Sequence, residues 1–192
     1  MDGAAATPGA LGACGIRAEV IALSGLVAAM AADGLTAVLA QVAIAAFAGP
    51  PWNEPAARAR LAIDRMLTDA GSGGTFVLAL AFTGAAPDLA GFAYGLRRWH
   101  LPALAGQLPA GPGDPPFELC ELAVRPAARG QGAGAALHQA ILTVSGPRPR
   151  WLATHPAARP ALALYRTRGW RTAHLVPGPD HDSVRLLMTR PR

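Results

Sequence analysis

The segment Leu122-Ala123-Val124-Arg125-Pro126-Ala127-Ala128-Arg129-Gly130-Gln131-Gly132-Ala133-Gly134-Ala135 leaves an apolar, strand-like run and enters a helical pattern. Glycines in such a place let the backbone approach a ligand closely, and the free N–H groups at a helix start are donors to phosphate oxygens. Arg129 adds a fixed positive charge beside them. The chemistry on offer is the binding of a phosphorylated anion. It is not a nucleoside triphosphate loop, because no Lys-Ser/Thr follows, and it lacks the Gly-x-Gly-x-x-Gly and downstream acid of a dinucleotide site. A tight turn before a helix uses the same glycines, so spacing alone leaves both readings open.

Proton-transfer candidates lie close by. Glu118 and Glu121 belong to the strand-like Phe117–Val124 run, and residues three apart on a regular strand point to opposite faces. Burying either acid without a partner is costly, so each reads as a general base or as a paired structural acid. Tyr165, in a helical run, is a proton donor or a core aromatic facing Ala161. Cys120 has no His near it in sequence and reads as buried filling rather than a nucleophile. His138 falls on the helix after the glycines and reads as a surface residue, whereas His155, beside Pro156 at a strand end, can reach a cleft. Trp52 and Glu54 place an apolar ring beside an acid, which suits a cationic ligand, and Asn53 between them reads as a helix cap. Asp180-His181-Asp182 reads as a polar turn. Nothing nearby adds metal ligands, and Cys14 and Cys120 are over a hundred residues apart, so no metal is expected.

Arg129, Gly132 and Gly134, with the lead-in Leu122, Val124 and Pro126, resemble motif A of the GNAT superfamily of acetyl-CoA-dependent acyltransferases. Downstream, Pro160 to Trp170 is similar to that family's helix ending in Tyr-x-x-x-Gly-Phe, with Trp170 in place of Phe. The resemblance implies that acetyl-CoA wedges between two splayed strands. The backbone of Leu122, Ala123 and Val124 would pair with the pantetheine arm, and the amides of Gly130, Gln131, Gly132, Ala133, Gly134 and Ala135 would hold the pyrophosphate. It implies Tyr165 as the acid on the thiolate side. Glu118 resembles the position of the base in histone acetyltransferases, and Glu121 matches a Glu common in small-molecule members, which makes Glu121 the preferred base. Trp52, Glu54 and His155 would border the acceptor. The implied activity is direct transfer of acetyl to a primary amine of a small molecule or peptide. Ala158 stands where many relatives carry Asn, which keeps open a non-catalytic acyl-CoA-binding module. Ala153 stands where ribosomal-protein N-terminal acetylases carry Glu, against that substrate class.

The elements that must position these groups follow from periodicity. A strand over Ala18–Ser24 precedes helices over Leu35–Ala46 and Glu54–Ala70, the first stopped by Gly49-Pro50-Pro51. Strands over Thr75–Thr83 and Gly91–Trp99 form a hairpin-like pair, and the Pro- and Gly-rich Leu101–Pro116 reads as a long loop. After the strand Phe117–Val124 come a helix over Gly132–Val144, a strand over Arg150–Thr154, a helix over Ala158–Arg168, and strands over Trp170–Leu175 and Ser183–Met188. This order is α/β, with one domain over residues 15–192 and a mobile segment over 1–14. The resemblance implies the GNAT fold: a mixed, largely antiparallel sheet of about seven strands, splayed near the middle, with about four helices.

Composition bounds the partners. With 192 residues, 52% hydrophobic and 15% charged, the chain can bury a core and is not of the disordered class. All 17 basic residues are Arg. Residues 1–96 hold four Arg against seven acids, whereas residues 97–192 hold thirteen against five, so the second half is basic. A phosphorylated ligand accounts for that bias. The Arg residues are scattered without interleaved aromatics, which argues against nucleic acid. Leu11-Gly12-Ala13-Cys14 superficially resembles a lipoprotein cleavage site, but no Lys or Arg and no strongly apolar core precede it. The Val20–Gly49 stretch is broken by Asp33 and Gln41, so no membrane span is expected. The expected setting is cytoplasmic, with acetyl-CoA and an amine acceptor as partners and room for a homodimer.

Overall fold

Two apolar runs, Phe76–Thr83 (β2) and Asp88–Arg97 (β3), are buried along most of their length on both faces. Strands of that kind need cover on each side, and helices supply it. The computed structural model describes residues 15–21, 34–71, 75–84, 88–109, 111–178 and 183–191. Expectations for residues 1–14, for 22–24 at the end of the first strand, and for Asp180-His181-Asp182 lie outside the described residues.

The remaining strands are β1 (Ile16–Ile21), β4 (Phe117–Val124), β5 (Arg150–Thr154), β6 (Arg171–Pro177) and β7 (Val184–Arg190). One seven-stranded sheet runs in the order β1-β2-β3-β4-β5-β7-β6. Every neighbouring pair is antiparallel except β4 with β5, which is parallel. That parallel pairing spans only Phe117–Leu119 against Arg150–Leu152. Beyond Leu119 the two strands part, and the edge of β4 facing β5 loses its strand partner.

Helix α1 (Leu35–Phe47) buries Leu39, Val42, Ala43, Ala46 and Phe47, and α2 (Ala56–Gly71) buries Ala59, Ile63, Met66 and Ala70. Both stripes follow the helical period and cover one face of the sheet, packing with Leu78, Phe92 and Tyr94. The opposite face is covered by Leu137 and Ile141 of α4 (Ala133–Val144) and by Leu162 and Tyr165 of α5 (Arg159–Arg166). Among the described residues no helix is long and apolar enough to cross a membrane.

Two local features depart from the sequence reading. The expected loop after β3 begins with a short helix, α3 (His100–Leu104), with Pro102 in its first turn. Its Leu101 N–H donates to Glu118 Oε1 at 2.7 Å, so a buried carboxylate anchors a segment that composition marked as irregular. The second departure is a bulge. Tyr94 pairs with Glu121 and the next residue, Gly95, with Leu119, which leaves Cys120 unopposed. Consequently Phe117, Leu119, Leu122 and Val124 all pack in the α4 core despite their uneven spacing, while Cys120 and Ala123 pack on the α1–α2 side.

Candidate active site

The separation of β4 from β5 creates a cavity of about 550 Å³. Leu122 and Val124 line one wall, Pro160, Ala161, Leu164 and Tyr165 of α5 another, and Gly130, Gly132, Ala133, Gly134 and Ala135 its end. Gly130 and Gly132 have φ of 74° and 89°, a region that L side chains rarely adopt. Gly132 gives α4 no side-chain cap, and the first intrahelical bond is from Ala136 N–H to the Gly132 carbonyl at 2.9 Å. The N–H groups of Ala133, Gly134 and Ala135 therefore precede the helical ladder and face this end of the cavity. An unpaired strand edge, a largely apolar cavity and uncapped helix amides together fit an extended amide-bearing arm that ends in phosphate.

A second cavity, about 880 Å³, opens on the α1–α2 side. Trp52, Glu54 and His155 line it, with Tyr94, Arg98 and four residues of α2. Trp52 meets Phe47 edge-on at 5.4 Å and His155 at 6.4 Å between ring centroids. The two cavities adjoin, and Trp52, Cys120 and Glu121 line both. Glu121 is pushed up to about 7, first by burial and then by the Glu54 carboxylate, with Arg185 and Arg65 pulling the other way. A carboxylate poised near neutral pH accepts a proton and gives it up again with little cost either way.

Tyr165 is buried, lines the β4–β5 cavity and has its phenol pushed above the ordinary range by burial and by the Glu121 charge. It therefore keeps its proton at neutral pH.

The sequence matches the profile of the acetyltransferase (GNAT) family over residues 39–170, more than half of the chain. The chain belongs to the GNAT acetyltransferase family. Its fold is similar to that of a structure described as histone acetyltransferase HPA2 and related acetyltransferase from Corynebacterium glutamicum, with 22% identity, a TM-score of 0.61, and coverage of 83% of this chain and 92% of that one. It is also similar to the ribosomal-protein-S18-alanine N-acetyltransferase from Escherichia coli, with 19% identity, a TM-score of 0.56, and coverage of 83% and 88%. A chain of the NatC complex bound to Gag peptide and CoA shares the fold at 14% identity and a TM-score of 0.60, with coverage of 92% and 98%. No curated protein sequence matches the chain. GNAT acetyltransferases take their acyl group from acetyl-CoA, and the β4–β5 cavity has the features that donor requires.

Within this GNAT domain some expected site residues are engaged elsewhere. Glu118 is fully buried and lines neither cavity. Its carboxylate accepts from Arg98 Nε at 2.7 Å and from the Leu101 N–H at 2.7 Å, and Arg98 also reaches Asp69 at 3.4 Å. Glu118 pairs across the sheet with Leu96 and Glu121 with Tyr94, both of which pack in the α1–α2 core, so the bulge brings the two acids to one side of the sheet and corrects the expectation of opposite faces. Arg129 Nη2 donates to the Ala46 carbonyl at 2.7 Å, where α1 ends, and the side chain also lines the donor cavity. Gln131 is exposed, bonds the Ala127 carbonyl at 2.8 Å and lines neither cavity. Ala123 turns its side chain into the α1–α2 core and lines neither cavity. Asn53 is not a cap. It is an exposed left-handed turn residue, three positions before α2 begins, with its N–H on the Gly49 carbonyl.

Sequence reasoning missed Arg58 and Arg65 of α2, Arg98 just after β3, and Arg185 of β7, which carry no local spacing. Burial pushes the Cys120 thiol up, so it stays protonated at neutral pH, and Arg98 Nη2 lies 3.2 Å from Sγ. His138 is not at the surface. Its ring is buried between Tyr165 and Trp170, and Nε2 accepts the Trp170 indole N–H at 2.8 Å. Burial and then Arg168, Arg190 and Arg150 hold it down at about 4.

His138 and Glu121 oppose each other in the pH dependence of stability. An unfolded His protonates near ~6.5, so the His138 contribution is intact above that pH and is lost as pH falls toward about 4. Glu121 keeps its proton in the folded state up to about 7, so its contribution is present below the unfolded carboxyl value and is lost as pH rises. The two slopes partly cancel. His138→Phe removes one of them, worth on the order of 3 kcal/mol over its full range. Calorimetry should show the variant gaining Tm relative to wild type on going from pH 7 to 5. A Tm difference that stays constant across that range would show that the imidazole does not titrate as its surroundings dictate.

Proposed function

We propose that the protein is an N-acetyltransferase that passes acetyl from acetyl-CoA directly to a primary amine. The observation that carries this reading is the position of Glu121, which lines both the donor cavity and the acceptor cavity. Glu121 takes the proton from the acceptor ammonium. The freed nitrogen attacks the thioester carbonyl carbon, the C–S bond breaks, Tyr165 supplies the proton that leaves with the sulfur as thiol, and the nitrogen gives its second proton back to the Tyr165 phenolate as the amide forms. The backbone of Leu122–Val124 pairs with the pantetheine arm along the strand edge that β5 leaves open. The amides of Ala133–Ala135 take the pyrophosphate, and Arg129 adds charge at the cavity mouth. Trp52 and Glu54 hold the ammonium end of the acceptor, with His155 at the rim. Glu118 is a structural residue that ties Arg98 and α3 to the sheet.

The test is thiol release from acetyl-CoA across a panel of primary amines. Saturable release with formation of the amide supports the reading. Tight acetyl-CoA binding with no turnover on any amine would instead favour the non-catalytic module.

Donor binding has its own readout. Acetyl-CoA at about 100 times its Kd should stabilise the fold by about 2.7 kcal/mol, which for a chain of this size is a Tm shift on the order of 5–10 °C. Gly134 has space for a Cβ beside Leu164, Leu122 and Val124 at 3.6–3.8 Å, so a longer side chain there enters the cavity rather than the core. Arg129→Glu combined with Gly134→Leu should abolish the shift in differential scanning fluorimetry. An undiminished shift would place the phosphates elsewhere.

A further inference from the structure

The acceptor cavity carries more positive charge than an amine alone would want. Arg58 and Arg65 of α2 and Arg185 of β7 line it together, close enough that the two α2 guanidiniums repel the one on β7. The facing carboxylates are Glu54 and Glu121. Glu121 is near its own neutralisation at pH 7, so three guanidiniums share little more than one full negative charge. The charge of Arg98, also on the wall, is taken up by Glu118 and Asp69. Neither Arg65 nor Arg185 forms an ion pair within 4 Å among the described residues. Like charges gathered in a partly enclosed space, two of them without a close counter-ion, are a site for an oxyanion. Guanidinium forks match carboxylate and phosphate geometry.

Resting on the amine-acceptor reading above, we infer that the acceptor is a doubly functional molecule, an amine that also bears a carboxylate or phosphate. Its ammonium lies toward Trp52, Glu54 and Glu121, and its oxyanion lies against Arg65 and Arg185. The arrangement also gives specificity, because an amine without the anion leaves the arginine cluster uncompensated and an anion without the amine presents no nucleophile. Release of the proton to Glu121 leaves the amine neutral and the oxyanion still held, so the anion end fixes the nitrogen during attack.

Matched acceptor pairs test this: β-alanine against propylamine, 6-aminohexanoate against hexylamine, and O-phosphoethanolamine against ethanolamine. Each pair is followed by kcat/KM for thiol release, and separately by the Tm shift the amine adds in the presence of CoA. The anionic member should lead by at least ~10-fold in one or more pairs and should give the larger Tm shift. The carboxylate and phosphate arms show which oxyanion is taken. In Arg65→Gln/Arg185→Gln the ratio within each favoured pair should fall toward one. Because both members of a pair use the same Glu121, any change in its basicity cancels in that ratio. Should the double variant fold poorly, Arg65→Gln alone, at an exposed position, should lower the ratio several-fold. Equal or better use of the uncharged member in every pair, in both readouts, overturns the inference, as does a ratio that survives the arginine changes. If no amine is turned over but the anionic members alone raise Tm, the transfer reading fails and the oxyanion site stands.

Discussion

Tyr165→Phe is expected to lower kcat by about 10²-fold with little change in acetyl-CoA affinity. The phenyl ring keeps its place against His138 and Trp170, at 6.2 and 6.0 Å between centroids, so packing and the cavity wall are preserved. What disappears is one hydroxyl proton. General acid catalysis contributes typically ~10²–10⁴-fold, and a thiolate is a good enough leaving group to need the lower end. The phenol is pushed above its ordinary range, so the donor is present throughout the neutral range and the loss should be nearly independent of pH there. A donor thioester built on a more acidic thiol should shrink the defect, because its sulfur departs with less help. That dependence separates a proton donor from a residue that merely shapes the pocket. Single-turnover rates equal to wild type, measured where chemistry limits, would reduce Tyr165 to a core aromatic.

The β4–β5 cavity was legible in the sequence because backbone builds its end. An uncapped helix start reached through left-handed residues demands glycine at fixed positions, and Gly130 and Gly132 record that demand. Tyr165 was legible for a related reason, since one short segment carries the whole α5 motif. The acceptor side left no such mark. Its arginines reach the cavity from α2, from the end of β3 and from β7, and no spacing links them. In a chain whose basic residues are all arginine, their number says nothing either. The bulge at Cys120 left a trace that was not read, because Phe-Glu-Leu-Cys-Glu-Leu breaks strict alternation at Glu121, where the face of Phe117 and Leu119 would carry an acid. That one extra residue moved Glu121 to the junction of the cavities and Glu118 to an ion pair with Arg98. His138 was misread as a surface residue because the first turn of its helix is only alanine and glycine, which marks the buried face weakly. Its burial is decided by Trp170, thirty-two residues away in sequence.

Glu121→Gln should produce a loss whose size and pH dependence are both set by two pKa values. In the wild-type enzyme kcat/KM should rise with pH along a limb near 7, where Glu121 loses its proton, and then level off, because the carboxylate can accept the proton of an ammonium substrate. Glutamine keeps the volume and the hydrogen-bonding reach but accepts no proton. The variant then depends on acceptor that arrives already neutral, and a primary alkylamine titrates near ~10.4. Its limb should therefore climb with unit slope from neutral pH to about 10. The separation of the two limbs, about three pH units, sets the expected defect at roughly 10³-fold at pH 7, narrowing steadily as pH rises. Stability supplies the control. Charging Glu121 in its buried setting costs free energy, so Glu121→Gln should melt at or above the wild-type temperature at pH 8 rather than below it. A well-folded variant that retains a limb near 7 would remove Glu121 from the role of base. The proton would then pass through another group at the rim of the acceptor cavity, of which His155 is the nearest in kind.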